Sequence, residues 1–566
     1  MAKIAHVQLP LGSTLEVAAI RAATRRAFNV LKEPVSFPRH NGSNVTSQFR
    51  RAVSIGCVCA LFAACGRPAT VAIPPLQSTA MSQAFAATTQ DLPEPPVVRA
   101  SKGTARVSLV ADINPVDGQP EFDYEGARGV APTIEVAPGD TIAVDIADEL
   151  PSIPPPMAER PDVEMPDVEM SAPLNADDMN LHFHGLTVSP RKPGDDVLGM
   201  LAQPGESLQY VVHVPKNQEP GLYWYHPHVH GITNFQVGES GMSGAIVIDG
   251  LERHIRGLAS MKQRLIIVRA TGIGADMPMK PPGSNSHPCG TKDGLTTSLN
   301  GAVKPAISIA RGERQFFRLI NASGHRTLNL AIDGATFEVV AFDGYALDTY
   351  PGNPPTQKMK TIVLPPAGRA EFIVTGPSSS QAKFRSLCYD TGPNGDPDPP
   401  LVLATLTAPQ RDDARPAQAL RAGEPLPPNA YDVPLPPPAA VRTVVLSEKG
   451  KKFFINGRAY RMGAPPMFVV RVGTVEEWHI LNVSREVHDF HMHQTHFLVE
   501  RIDGAVQPHP FWRDSVVVPH ERGAAGPGAV TLLMDFRDPV IRGEFVFHCH
   551  ILDHEDAGMM ANIRAI

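Results

Sequence analysis

The chain is poor in cysteine: six residues among 566 cannot form the dense disulfide framework of a small secreted scaffold, so each cysteine needs its own explanation. Long apolar runs are missing too. The longest, Ala52 to Cys65 (AVSIGCVCALFAAC), has 14 residues, short of the ~18 that a transmembrane helix needs. Nor is there an excess of positive charge. With 51 Lys and Arg against 58 Asp and Glu the net charge is −7, which excludes the basic footprint of non-specific nucleic-acid binding. Proline, by contrast, is abundant at 57 residues, about twice its usual ~5 % share. Without a collagen period, that excess points to many short strands joined by rigid turns and argues against long helices. At roughly 150 residues per domain, the length allows three or four domains.

The 14-residue run follows Arg50-Arg51 and ends in small residues. That is the profile of a secretory h-region behind a basic n-region, and the arginine pair permits twin-arginine export. Signal peptides begin at the N-terminus, so a leader at this place implies a later translation start, for instance a non-standard start codon for Val45. A buried strand or helix is the alternative reading. Phe62-Ala63-Ala64-Cys65 resembles a bacterial lipobox with Phe for the usual Leu. Cys65 is therefore a candidate lipid anchor, with simple cleavage further on as the rival. The expectation is an exported, periplasmic or cell-envelope protein whose membrane contact, if any, runs through Cys65.

Residues 66 to 97 are rich in Pro, Ala, Ser and Thr without periodicity and read as a linker. Beyond them a strand, a glycine turn and a second strand recur three times. The copies are Pro132 to Ile146 about Gly139, Ala306 to Ile320 about Gly312, and Met467 to Ile480 about Gly473, spaced by 173 and 161 residues. Each unit adds short period-2 segments bounded by Gly, Pro and Asp, such as Leu208 to Val214, Gly244 to Ile248 and Thr336 to Ala341, the signal of an antiparallel β-sandwich. The expected fold is all-β, with homologous sandwiches at 98–250, 251–392 and 441–566, a leader and linker at 1–97, and a Pro-rich linker at 393–440. Pro154 to Asn180 is an acidic insertion with a tandem PDVEM repeat. A solvated loop grown by duplication explains it, and Cu(I) gathering by Met157, Met165, Met170 and Met179 is the functional alternative.

Of 21 histidines, ten sit in four clusters: His182-Phe-His184, His226-Pro-His228, His488-Asp-Phe-His491-Met-His493 and His548-Cys-His550-Ile-Leu-Asp-His554. One His-x-His pair only weakly indicates a metal. Their placement says more, because Gly221 to His228 aligns without gaps to Gly543 to His550, while the corresponding segment of the second unit, Arg326 to Asp333, has no histidine. The first and third units each supply two clusters. The simplest arrangement is a metal cluster between those two units, with the second as spacer.

Strand alternation sorts these residues, since i and i+2 share a face. His548 and His550 point one way and Cys549 the other; His491 and His493 share a face opposite to His488. Eight imidazoles fall together: His182, His184, His226, His228, His491, His493, His548 and His550. Cys549, His488, His554 and Met559 form a second group. A thiolate, two histidines and a distant methionine are the ligand set of a blue-copper centre, a role that redox-inert zinc cannot fill. Eight imidazoles exceed the coordination of one metal and fit three coppers with room for an exogenous ligand. Cys549 bridges the groups, because both its sequence neighbours belong to the cluster. One copper plus three hold the four electrons that take O₂ to two waters.

The segments LHFHG (181–185), WYHPHVHG (224–231), HDFHMH (488–493) and HCHILDHEDAGMM (548–560), with FWRDSVVVP (511–519) as a weaker echo, resemble in content and order the motifs of three-domain multicopper oxidases of the bacterial laccase and cuprous-oxidase kind. The resemblance covers about residues 98 to 566. It implies cupredoxin-like Greek-key sandwiches and four coppers: type 1 on His488, Cys549, His554 and Met559, type 2 on His182 and His491, and the type 3 pair on the remaining six histidines. It also implies proton-relay roles for Glu555 and for Asp195 or Asp196, although Pro193-Gly-Asp-Asp is itself a turn signature. The implied partners are O₂ and a one-electron donor acting near His488, the type 1 ligand expected to be exposed. Donors are phenols or aromatic amines, as in laccases, or Cu(I), Fe(II) or Mn(II), as in metallo-oxidases.

The chain departs from the family pattern at Asp489, where proline is common, and at Gln494, where glycine is common, so the loop beside His488 is expected to differ in shape and charge. His230, His479 and His496 exceed the ligand count and read as structural. Cys57 and Cys59 fall in the leader, and Cys289 and Cys388 are a spare pair whose bonding the sequence leaves open. Two rivals share the fold. A copper nitrite reductase lacks the four-cluster set, and a copper-sequestering envelope protein can lose ligands, whereas all twelve are present here.

Overall fold

The computed structural model describes residues 90–116, 118–128, 131–151, 177–272, 289, 294–409, 421–422 and 435–566. Cys57, Cys59, Cys65, Met157, Met165, Met170 and the tandem repeat lie outside them. Three sandwiches, each a pair of sheets, take the strands from Val97 to Ile248, from Lys262 to Thr407 and from Ala440 to Ala565. In one sheet of each a run of four strands keeps the same order, with a fifth strand added at one edge in the first and at the other edge in the second and third. In the first this sheet runs Val97–Arg99, Thr133–Val136, Gly244–Ile248, Gly221–His226, His182–His184; in the third, Phe468–Val470, Met560–Ala565, Gly543–Cys549, His488–Met492, Ser515–Val518. The second sandwich places Gln381–Leu387 and Leu328–Ile332 where its neighbours carry their histidine strands.

The repeated glycine turn does not fold a hairpin. Thr133–Val136 lies in one sheet and Thr141–Asp148 in the other, so the turn carries the chain across the sandwich, and the same holds at the second and third copies. Gly139, Gly312 and Gly473 have φ of +96°, +71° and +88°, a region that side chains with a Cβ disfavour. The strand after each turn pairs in parallel with the first long strand of its sandwich, as Thr141–Asp148 does with Thr104–Ile113. The sheets are therefore mixed rather than purely antiparallel. Period-2 alternation cannot distinguish the two pairings, because it reports which face is buried and nothing about strand direction.

Two expected linkers contribute to sheets. Leu401–Thr407, inside the stretch read as a 393–440 linker, is an interior strand of the second sandwich, between Ala306–Ser308 and Gln381–Leu387. The proline-rich flanks concealed a β-prone LVLATLT segment. At the end of the leader-side linker, Leu92 N–H donates to Ala306 O (3.1 Å), Ala306 N–H donates to Gln90 O (2.8 Å), and Leu92 is buried in the second core. Each core is built from inward residues of both its sheets, such as Val107, Leu109, Ile134 and Ile246 in the first and Trp478, Leu532, Phe490 and Phe547 in the third. Full burial of each such side chain is worth about 1.5–3 kcal/mol. Cys289 and Cys388 form a disulfide with Cα atoms 5.4 Å apart.

After Gln381–Leu387 the second sandwich lays a loop over the third. Val487 N–H donates to Thr391 O (2.9 Å) and Asn394 N–H to Arg485 O (3.1 Å), which covers the end of the strand that begins at His488.

Candidate metal centre

Neighbouring strands bring the histidines together by register. His182 pairs with His226 within one sheet of the first sandwich, and His491 with His548 and Phe490 with Cys549 within one sheet of the third. The two sandwiches then meet ring on ring: His182 stacks on His493 at 3.8 Å and His184 on His491 at 4.0 Å, within 15° of parallel. All eight rings are buried. Three Nε2 atoms converge, that of His548 lying 3.2 Å from His228 and 3.1 Å from His493. His184, His226 and His550 form a second triad with ring centroids 5.2 to 5.7 Å apart, and His182 and His491 remain as a pair at 6.1 Å. The indole of Trp224 packs against the second triad, 4.2 Å from His226.

The nitrogens facing away from the centre are fixed, which aims the others inward. His182 Nδ1 lies 3.0 Å from Asp195 Oδ2, His226 Nδ1 2.7 Å from Pro227 O, His491 Nδ1 2.8 Å from Asp514 O, and His184 Nε2 3.3 Å from Asp514 Oδ1. Their opposite nitrogens, His182 Nε2, His226 Nε2, His491 Nε2 and His184 Nδ1, have no protein hydrogen-bond partner among the described residues. Burial, reinforced for most by neighbouring imidazoles, holds His182, His184, His226, His491, His493 and His550 well below the usual histidine range. Neutral rings with buried, unpartnered nitrogens are the form that binds cations, and cations close to all three converging Nε2 atoms satisfy contacts that no single proton can.

On the other face of the strand, Cys549 Sγ lies 3.8 Å from His488 Nδ1 and 3.7 Å from His554 Nδ1, which are 3.1 Å from each other. Asp489 N–H donates to the sulfur at 3.4 Å. Burial pushes the Cys549 thiol well up, so a thiolate there needs a cation beside it. Met559 is fully buried and its carbonyl accepts from Cys549 N–H at 3.0 Å. His488 is not the exposed ligand the sequence suggested: it is 0 % exposed, with Ser484 Oγ 3.0 Å from its Nε2, beneath the loop from the second sandwich. His554 is 3 % exposed, stacked on Phe453 at 4.0 Å, with Glu486 Oε1 3.7 Å from its Nε2. Burial, then Glu448, pushes the Glu486 carboxyl up to about 11.

The structure separates the two candidate aspartates. Asp195 is buried against His182 and also accepts from Phe183 N–H (3.0 Å) and Gln494 Nε2 (2.6 Å); burial pushes it up to about 7 against those bonds. Asp196 Oδ1 instead accepts from Gly199 N–H at 2.8 Å, a turn bond. Glu555 Oε2 lies 3.0 Å from His548 Nδ1 and Oε1 3.6 Å from His228 Nε2, and Thr233 Oγ1 donates to Oε1 at 3.3 Å. Burial pushes Glu555 up, but His548 and His228 outweigh it and hold it below the usual carboxylate range. Asp489 is buried beside His488, not in an exposed loop.

His230 packs on Tyr460 at 4.6 Å, His479 Nε2 lies 2.5 Å from Glu477, and His496 Nε2 3.4 Å from Asp514 Oδ2. Sequence reasoning did not identify Asp514, although it touches His184 and His491; its only signal was the FWRDSVVVP echo. Gln494, Trp224 and Ser484 were likewise not singled out as supports of the site.

Comparisons with known proteins bear on this geometry. Three multicopper oxidase family models match residues 167–253, 223–408 and 434–565, together more than half of the chain. The multicopper oxidase mco of Staphylococcus haemolyticus is 26 % identical over 69 % of this chain and 77 % of its own, and the laccase of Bacillus subtilis 26 % over 62 % and 71 %. A solved multicopper oxidase from Campylobacter jejuni, described as a metallo-oxidase, superposes with a TM-score of 0.61 at 24 % identity, covering 84 % of this chain and 96 % of its own. The chain belongs to the multicopper oxidase family, a family of copper-dependent oxidoreductases that use O₂.

Proposed function

We propose that the protein takes single electrons from a donor at a type 1 copper held by His488, Cys549, His554 and Met559, and reduces O₂ to two waters at three coppers held by the eight histidines. The placement of Cys549 carries this reading. Its thiol meets His488 and His554, while its covalent neighbours His548 and His550 join the histidine cluster. Bound copper supplies one-electron redox chemistry at the first site and, across both, the four-electron store that avoids releasing partly reduced oxygen.

The chain's own groups supply the remaining requirements. His226, His491 and His182 are aimed by bonds to Pro227 O, Asp514 O and the Asp195 carboxylate, so copper meets preset nitrogens. Glu555, an ionised carboxylate between His548 Nδ1 and the Thr233 hydroxyl, is placed to relay a proton through its oxygens, and Asp195 at His182 is the second relay group. Full burial of the rings excludes bulk water and strengthens each electrostatic contact. The donor is a phenol, an aromatic amine or a metal ion such as Cu(I). With His488 covered, it approaches over His554, beside the Glu486 carboxyl.

Copper-reconstituted protein is expected to hold about four coppers and an intense blue absorption that Cys549→Ser abolishes. Metal analysis with absorption spectroscopy checks both, and a colourless protein with a single zinc would overturn the reading. Oxygen uptake with phenols, Cu(I), Fe(II) and Mn(II) then ranks the donors.

A further inference from the structure

The second sandwich supplies none of the twelve candidate ligands, yet it sends one side chain between the other two. Arg369, the first residue of Arg369–Thr375, is 0 % exposed. Its guanidinium grips Asp514 of the third sandwich through both oxygens, Nη1 to Oδ1 at 2.7 Å and Nη2 to Oδ2 at 2.5 Å, and its Nε donates to Leu222 O of the first at 3.3 Å. Asp343 secures it from behind, accepting from Arg369 N–H at 2.7 Å while Arg513 Nε lies 3.1 Å from its other oxygen. Asp514 in turn reaches two stacked rings by different atoms: Oδ1 to His184 Nε2 of the first sandwich and its backbone carbonyl to His491 Nδ1 of the third.

We propose that Arg369 is a positioning residue for the eight-histidine site: by clamping Asp514 it sets the orientation of His184 and His491 relative to each other, across three sandwiches. A planar, five-donor fork fixes both the position and the plane of a carboxylate, which a lysine ammonium cannot do. Space at the contact is already taken. A Cβ at Gly185, the residue after His184, would run into Arg369 Nη2 and lie 2.7 Å from Asp514 Oδ2. Losing the fork vacates that space and leaves the Asp514 carboxylate free to turn away from His184. The type 1 group lies on the opposite face of the strand, so the effect is confined to the cluster.

This proposal rests on the cluster's holding copper, and the test separates the two. Full-length wild type, Arg369→Met and Arg369→Lys are reconstituted with copper and challenged with a chelator, following the blue band, the near-ultraviolet band of the coupled copper pair and copper per chain. In Arg369→Met the blue band is expected to persist while the cluster's copper is lost at about 10–100-fold lower chelator, the usual scale for residues behind the ligands. Arg369→Lys recovers part of that loss. Unchanged chelator resistance of the cluster in Arg369→Met, or equal loss of blue and cluster signals as in general unfolding, overturns the proposal. If Arg369→Met does not fold, Arg369→Lys is judged by the same two outcomes. A wild type without blue colour or cluster copper would instead refute the copper reading.

Discussion

At the residue scale, Asp195 and Asp196 show how adjacent, chemically identical side chains are given different work by one turn. Asp195 is turned inward to His182, Phe183 N–H and Gln494, and Asp196 caps Gly199 N–H. Asp195→Asn is expected to lower O₂ turnover about 10–100-fold. Asp196→Asn keeps an oxygen acceptor for Gly199 and should stay within about two-fold. Oxygen uptake at saturating donor and matched copper content checks the pair, and equal effects would remove Asp195 from the site. That these histidines and Cys549 come together was legible in the sequence because their spacing is local: His548, Cys549 and His550 alternate within one strand. Asp514 and Gln494 were not, because their partners His184 and Asp195 lie 330 and 299 residues away.

At the scale of elements, the glycines of two turns make opposite demands. Gly473, with φ of +88°, faces open space, whereas Gly185, with φ of +85°, faces the Arg369–Asp514 pair. Gly473→Ala should cost about 1 kcal/mol, a backbone penalty alone. Gly185→Ala adds overpacking of about 1–3 kcal/mol and should loosen copper at the cluster as well. Urea unfolding of the copper-free variants measures the difference, and equal costs would mean that the pair behind Gly185 moves freely. Alternation placed Cys549 on the face opposite to His548 and His550, since the face a side chain takes is a property of its own strand. Pairing was a different matter. Whether a strand–glycine–strand unit folds back or crosses to the opposite sheet depends on partners far along the chain, and the three units all cross.

At the scale of the whole molecule, the Cys289–Cys388 disulfide closes a loop of 99 residues in the second sandwich. Replacing both cysteines by serine should lower stability by about 2–4 kcal/mol and leave the blue absorption intact, because neither cysteine is among the candidate copper ligands. Thermal unfolding of reduced and oxidised protein tests it; an unchanged Tm would show that the bond contributes nothing. The sequence by itself determined the all-β class, the threefold repeat and which histidines share a face, because alternation, turn residues and short spacings are written in consecutive residues. Only the tertiary structure decided that Leu401–Thr407 belongs to a sheet, that a loop buries His488, that Asp195 rather than Asp196 meets a histidine, and that Arg369 joins three sandwiches at Asp514. Each of those rests on contacts between distant segments, whose energy depends on desolvation and fit at an interface that no local pattern encodes.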